Sequence, residues 1–334
     1  MTKEGCKQVT GQMTNPSLPT KGGPARARFV VGTGVLVVAL AAAGLAWART
    51  SADTQGTPVI AAAGDIACGP ADHNYNGGVG NQRACNEQAT SNLMLRAKLA
   101  GVLLLGDDQY ENGTLRDFKR SFAPTWGRLG SKLYPAPGNH EYNTAGARGY
   151  FRYFGVKAGP DHRGYYSYDI GAWHLIALNS NCKAIGGCNL TSAQGRWLKA
   201  DLAAHRTKCT LAYWHHPRFS SGRHGDEKLA DGFWRELYAA GADVVLVGHD
   251  HDYERFSPQR PNGRADPVRG ISEFVVGTGG RSHDPINRVD ANSVVRNDKT
   301  FGVLELTLHR DRYDWKFVPS GGATFSDAGT AACH

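Results

Sequence analysis

With 334 residues, 41% of them hydrophobic and 20% charged, the chain has the composition of an ordinary globular protein with a sizeable core, which excludes a disordered or fibrous polypeptide. Residues 1 to 50 carry +5 of the formal charge of +8, through Lys3, Lys7, Lys21, Arg26, Arg28 and Arg49 against Glu4. The +3 on the rest excludes a strongly basic surface, so no nucleic-acid partner is expected, whereas a small anionic phosphate would not be repelled.

Residues 1–28 are polar, rich in Gly, Pro, Thr and Lys, and read as a cytoplasmic leader. From Phe29 to Ala48 runs a stretch of about twenty uncharged residues, long enough to span a bilayer. Lys21, Arg26 and Arg28 before it hold the N-terminus in the cytoplasm and send the rest across. Ala46-Trp47-Ala48 fits a cleavage site, so residues 29–48 are either a removed signal peptide or a retained anchor, and the only expected membrane contact. Residues 49–57 read as a linker, 58–320 as one domain and 321–334 as a C-terminal tail. The domain is therefore expected to be exported, either secreted or anchored to the outer face of the membrane.

Six of the seven cysteines follow the apolar stretch: Cys68, Cys85, Cys182, Cys188, Cys209 and Cys333. An even set suits an oxidising compartment, although six cysteines allow fifteen pairings. The pairs expected are Cys68 with Cys85 and Cys182 with Cys188, closing short loops, and Cys209 with Cys333, tying the C-terminus to a strand.

From Pro58 on, short apolar runs alternate with helical patterns. Val59 to Ala63, Val102 to Leu105, Leu133 to Ala136, Trp173 to Leu178, Thr210 to Trp214 and Val244 to Val247 read as strands. Asn86 to Leu99, Ser192 to His205 and Glu227 to Ala240 read as amphipathic helices, the last with Leu229, Phe233, Leu237 and Ala240 on one face. Further strands at Ile271 to Val276, Phe301 to Leu308 and Tyr313 to Val318 make this a layered α/β domain with mixed sheets.

The residues after these strands carry the chemistry. They are Gly64-Asp65, Gly106-Asp107-Asp108-Gln109-Tyr110, Gly138-Asn139-His140-Glu141, His215-His216-Pro217 and Gly248-His249-Asp250-His251. Each alone is a common turn. Together they bring carboxylate, amide, phenol and imidazole groups to one sheet edge, a mixed oxygen and nitrogen set suited to iron, zinc or manganese. No exported cysteine lies at these ends, which argues against a thiolate zinc site.

GDxxY, GNHE, H-x-P and GHxH, in this order behind a first Gly-Asp, resemble the calcineurin-like metallophosphoesterases, and most of all the compact purple acid phosphatases. The resemblance covers roughly Val59 to Val318. It implies a layered metallophosphoesterase fold in which two mixed β-sheets pack face to face, flanked by helices. It also implies two metal ions: Fe3+ on Asp65, Asp107, Tyr110 and His251, and Fe2+, Zn2+ or Mn2+ on Asn139, His215 and His249, with Asp107 bridging. His215 is preferred over His216 because it stands two before Pro217, leaving His216 to support the loop. The first motif, Gly64-Asp65-Ile66-Ala67, lacks the second Gly of the purple acid phosphatase GDxG and the His of the wider superfamily's DxH, but keeps Asp65.

The implied activity is hydrolysis of a small phosphate monoester by a metal-bound hydroxide, with His140 and His224 as candidates for substrate contact and proton donation. His224 lies nine residues after His215, in a loop of small residues that reads as flexible. Asp250 is either a partner of the ligands or exposed, and Gly277-Thr278-Gly279-Gly280 could present backbone amides to the site. Trp126, Trp197 and Trp234 read as core, and Asn112 and Asn189 head glycosylation sequons. The rival readings are a phosphodiesterase acting on nucleotides or phospholipid head groups, and a non-catalytic surface binding module. Oligomeric state is not legible.

Overall fold

The computed structural model describes residues 56–334 apart from Asn287. The leader, the apolar segment 29–48 and most of the linker lie outside the described residues. Among the described residues no helix is long and apolar enough to cross a membrane.

Among the described residues thirteen strands form two mixed sheets. They are β1 (Val59–Ala63), β2 (Gly101–Leu105), β3 (Leu133–Ala136), β4 (Tyr166–Ile170), β5 (Trp173–Ala177), β6 (Cys209–Tyr213), β7 (Val244–Val247), β8 (Tyr253–Phe256), β9 (Ser272–Val276), β10 (Ser293–Asn297), β11 (Gly302–Leu308), β12 (Arg312–Pro319) and β13 (Ala328–Ala332). The first sheet runs β13-β12-β11-β1-β2-β3, and the second runs β10-β8-β9-β7-β6-β5-β4. Within them β1, β2 and β3 are parallel, as are β5, β6, β7 and β9, so the C-terminal ends in each group point the same way.

Strand alternation sorts the second sheet into two cores. Leu211 and Tyr213 of β6 and Val244 and Leu246 of β7 join one apolar cluster with Ile60, Val102 and Leu304 of the first sheet. Their neighbours Ala212, Val245 and Val247 face the other way, onto Leu198, Phe233, Trp234 and Leu237 of the helices Ala193–Ala204 and Asp231–Ala240. In β1 and β2 every residue from Ile60 to Ala63 and from Val102 to Leu105 is fully buried, which is why both read as unbroken apolar runs.

Several expectations change. The helix expected over Glu227 to Ala240 is a short 3-10 turn, Lys228–Ala230, followed by a helix, and Leu229 is exposed instead of packed. Residues 321–334, expected as a tail, contain β13, which pairs with β12 along the edge of the first sheet. The disulfides among the described residues are those expected, Cys68–Cys85, Cys182–Cys188 and Cys209–Cys333. The last joins β6 of the second sheet to the residue following β13 of the first.

Candidate metal centre

Each parallel strand β1, β2, β3, β6 and β7 ends in a sharp turn that carries a donor. Asp65, Asp107 and His249 have positive φ values of 59°, 50° and 73°, backbone that residues with a Cβ adopt at a cost and that clusters at functional sites. The glycines before the donors have a steric cause. A Cβ on Gly138 would lie 2.1 Å from Asp107 Oδ1, and one on Gly248 would lie 2.6 Å from Asp65 Oδ2.

The turns bring seven donors together around two points. At the first, Tyr110 Oη lies 2.8 Å from Asp65 Oδ1, 3.1 Å from Asp107 Oδ2 and 3.0 Å from His251 Nε2. At the second, His215 Nε2 lies 3.0 Å from Asn139 Oδ1, 3.2 Å from Asp107 Oδ2 and 3.2 Å from His249 Nδ1. Asp107 Oδ2 belongs to both. Donors about 2.0–2.2 Å from an ion, at right or tetrahedral angles to one another, sit roughly 3 Å apart. The spacing therefore fits a pair of cations sharing one carboxylate oxygen.

The protons agree with this. His215 Nδ1 lies 2.9 Å from the Leu105 carbonyl and must donate to it, which leaves the Nε2 lone pair facing the centre. His251 Nδ1 lies 2.7 Å from Ser282 Oγ, and Nε2 again faces inward. Glu141 is fully buried and ties the turns together, accepting the N–H groups of Asp107, Gln109 and Gly138 at 3.0, 3.1 and 2.8 Å. Burial, then the charge of Asp107, pushes its carboxyl up to about 8 against the pull of those donors. Burial also pushes Asp107 up, but the imidazoles of His215 and His140 outweigh it and hold that carboxyl below the usual range. Burial and the carboxylates Glu141, Asp107 and Asp65 push Asp108 well above it.

At the rim, His140 Nδ1 lies 2.7 Å from the Glu111 carbonyl, and its ring lies 4.2 Å from that of Tyr110. The His224 ring lies 4.3 Å from the His249 ring, with Nε2 3.9 Å from Asp284 Oδ2.

The calcineurin-like phosphoesterase family model matches residues 59–253, which include all seven donors. The chain belongs to this family. Among curated relatives, this calcineurin-like phosphoesterase is 34% identical over 131 residues to purple acid phosphatase 18 of Arabidopsis thaliana, covering 37% of the chain and 28% of the relative. It is 31% identical over 216 residues to purple acid phosphatase 15 of the same plant, covering 54% of the chain and 40% of the relative. The chain thus spans well under half the length of the curated relatives it matches. Among solved structures, a purple acid phosphatase isolated from yellow lupin seeds shares the fold with a TM-score of 0.69 at 17% identity, covering 83% of this chain and 54% of that one.

Other residues of this calcineurin-like phosphoesterase depart from the sequence reading. Asp250 is fully buried, so the exposed alternative is wrong. His216 is tied to Ser180, whose Oγ lies 2.8 Å from its Nδ1 and 3.1 Å from its backbone N, and it packs beside the donors. Its ring lies 4.6 Å from that of His249 and 4.9 Å from that of His215, and burial, then the charge of His215, pushes its imidazole down to about 3. The amides of Gly277 and Gly279 do not face the site, because they donate to the carbonyls of Asp252 and Gly64. The glycine-rich turn contributes instead through Ser282, which sequence reasoning missed because nothing local marks a serine as the partner of a histidine 31 positions away. Trp126 and Trp234 are fully buried, as expected. Trp197 is half-buried and lines a cavity of about 540 Å³ with Tyr142, Arg163 and Arg196, which none of the seven donors touches.

Proposed function

We propose that this protein hydrolyses phosphate monoesters outside the cytoplasm, with two metal ions held by Asp65, Asp107, Tyr110, Asn139, His215, His249 and His251. The observation that carries the reading is the shared Asp107 oxygen, 3.1 Å from Tyr110 Oη and 3.2 Å from His215 Nε2, with donors from five strand ends around it. The two carboxylates and phenol oxygen of the first position suit Fe3+, and the imidazole and amide donors of the second suit Fe2+, Zn2+ or Mn2+. When bound, such a pair lowers the pKa of water and offsets the charge of the phosphate.

The chain's own groups then complete the site. Asp107 and Glu141 fix the spacing of the two positions. His140, anchored through Nδ1 to the Glu111 carbonyl, offers Nε2 to a phosphate oxygen when protonated. His224 supplies a proton to the departing alkoxide, with Asp284 beside it to support the imidazolium. The apolar run at 29–48 behind a basic flank and the three disulfides support export to an oxidising compartment.

Metal analysis of the purified protein, a visible spectrum and turnover on mono- and diesters test this together. Expected are two ions per chain and preference for monoesters. His224→Ala should keep both ions and lose about 10²- to 10⁴-fold on alkyl phosphates but less on nitrophenyl phosphate, whose leaving group needs little protonation. Two bound ions with no turnover of any phosphate ester would overturn the reading.

A further inference from the structure

The loop that presents His224 contains Ser220, Ser221, Gly222 and Gly225 and has no regular secondary structure, yet its backbone is held almost residue by residue. Glu273 accepts the N–H groups of Arg218 and Phe219 at 3.0 and 3.2 Å. Asp226 accepts that of Ser220 at 3.1 Å, and Glu254 that of Ser221 at 2.8 Å. Ser220 Oγ accepts that of Gly222 at 3.0 Å, and Asp250 Oδ1 accepts that of His224 at 2.7 Å. Glu254, Glu273 and Asp250 are fully buried, where a carboxylate hydrogen-bonded to backbone N–H groups is a firm anchor.

One anchor differs from the others in where it comes from. Asp250 stands between His249 and His251, so its side chain joins the turn carrying two metal donors directly to the residue at the rim. Its second oxygen accepts the Ser220 hydroxyl, closing a ring of contacts across the loop. Packing here is tight, since a Cβ on Gly222 would lie 2.5 Å from the Asp250 carboxyl carbon. The loop is pressed onto Asp250, with the His224 ring 4.3 Å from that of His249.

We infer that Asp250 is a positioning residue that locks His224 to the metal-ligand turn and so fixes the proton donor relative to the phosphate. The inference rests on the proposed phosphoesterase reading for its kinetic consequence, but not for its structural one. An asparagine can replace Asp250, because its oxygen keeps the His224 N–H while its amide donates to Ser220 Oγ, which has a lone pair to spare. An alanine can do neither.

The test compares the full-length protein with Asp250→Ala, Asp250→Asn, His224→Ala and the Asp250→Ala, His224→Ala double variant. Asp250→Ala should retain two ions per chain and lose about 10- to 100-fold in kcat on an alkyl phosphate, with a smaller loss on nitrophenyl phosphate. Asp250→Asn should recover most of that loss. The double variant should be no worse than His224→Ala, because both act through one imidazole. Losses that multiply, equal losses on the two esters, loss of metal from Asp250→Ala, or an asparagine no better than alanine would each overturn the assignment. Hydrogen exchange of the segment 218–226 separates this from failure of the activity itself. Protection lost in Asp250→Ala and kept in Asp250→Asn supports the lock even in a protein that turns over no ester, and unchanged protection in Asp250→Ala overturns it.

Discussion

Asp107→Asn tests the shared position with one atom changed. In the native site Asp107 Oδ1 accepts the His140 N–H at 2.8 Å, and Oδ2 is the oxygen common to both positions. An asparagine would keep its oxygen on the His140 N–H, since reversal would set two donors against each other there. Its NH2 group would then face the ions and supply no lone pair. Both positions would lose a donor, and the negative charge between two cations would vanish. Loss of an outer partner of a ligand weakens metal binding by roughly 10- to 100-fold, so loss of the shared ligand should exceed about 100-fold at each position. After gel filtration in metal-free buffer, Asp107→Asn should carry well under one ion per chain by elemental analysis. Turnover should fall at least as steeply, and excess metal should restore little. Asp65→Asn is the control, because Asp65 serves the first position only and its variant should keep the second ion. An Asp107→Asn protein with full metal content and full turnover would refute the two-position assignment.

Three further outcomes are expected. Tyr110→Phe should abolish a visible charge-transfer band of the iron-loaded protein, while a colourless, fully active native protein holding only zinc or manganese would refute iron at that position. Replacing Cys209 and Cys333 by alanine opens a loop with a sequence separation of 124, for which the chain-entropy relation gives about 5 kcal/mol. The melting temperature should fall by on the order of 10 °C, and an unchanged value would refute the staple. His174 is buried between Asp169 and Asp201 at 2.8 Å each and stacks on His205. Burial lowers its pKa, but the two carboxylates outweigh burial and raise it; burial likewise raises the pKa of Asp201, but its hydrogen bonds with His174 and Ser167 outweigh burial and lower it. The pair is therefore fully stabilising between roughly pH 4 and pH 6.5, the unfolded values of Asp and His, and is lost as pH rises through the folded pKa of His174 or falls through that of Asp201. The stability difference between native protein and His174→Gln should be largest in that window and shrink above it, and a difference constant from pH 5 to pH 9 would refute the ion-pair account.

What could be read from the sequence, and what could not, follows the range of the forces involved. The parallel strands were legible because each is buried on both faces and so is written as an unbroken apolar run, as in Val102 to Leu105. The donors stood out because each follows such a run and most follow a glycine, and the approach of a Cβ on Gly138 to Asp107 gives one reason. Strand β13, Ala-Gly-Thr-Ala-Ala, carries neither signal, and it is a strand because β12 and the Cys209–Cys333 bridge hold it at the sheet edge. The His224 loop shows the same limit closest to the chemistry. Its serines and glycines describe what the backbone is free to do, and that freedom reads as flexibility. Most of the oxygens that these N–H groups find belong to Asp250, Glu254 and Glu273, between 26 and 55 positions away, in motifs that read as ligand turns or plain strand. A loop rich in small residues can therefore be among the better-anchored segments of a protein when buried carboxylates take the place of a neighbouring strand. The small side chains are then what lets those carboxylates come close, as Gly222 does for Asp250.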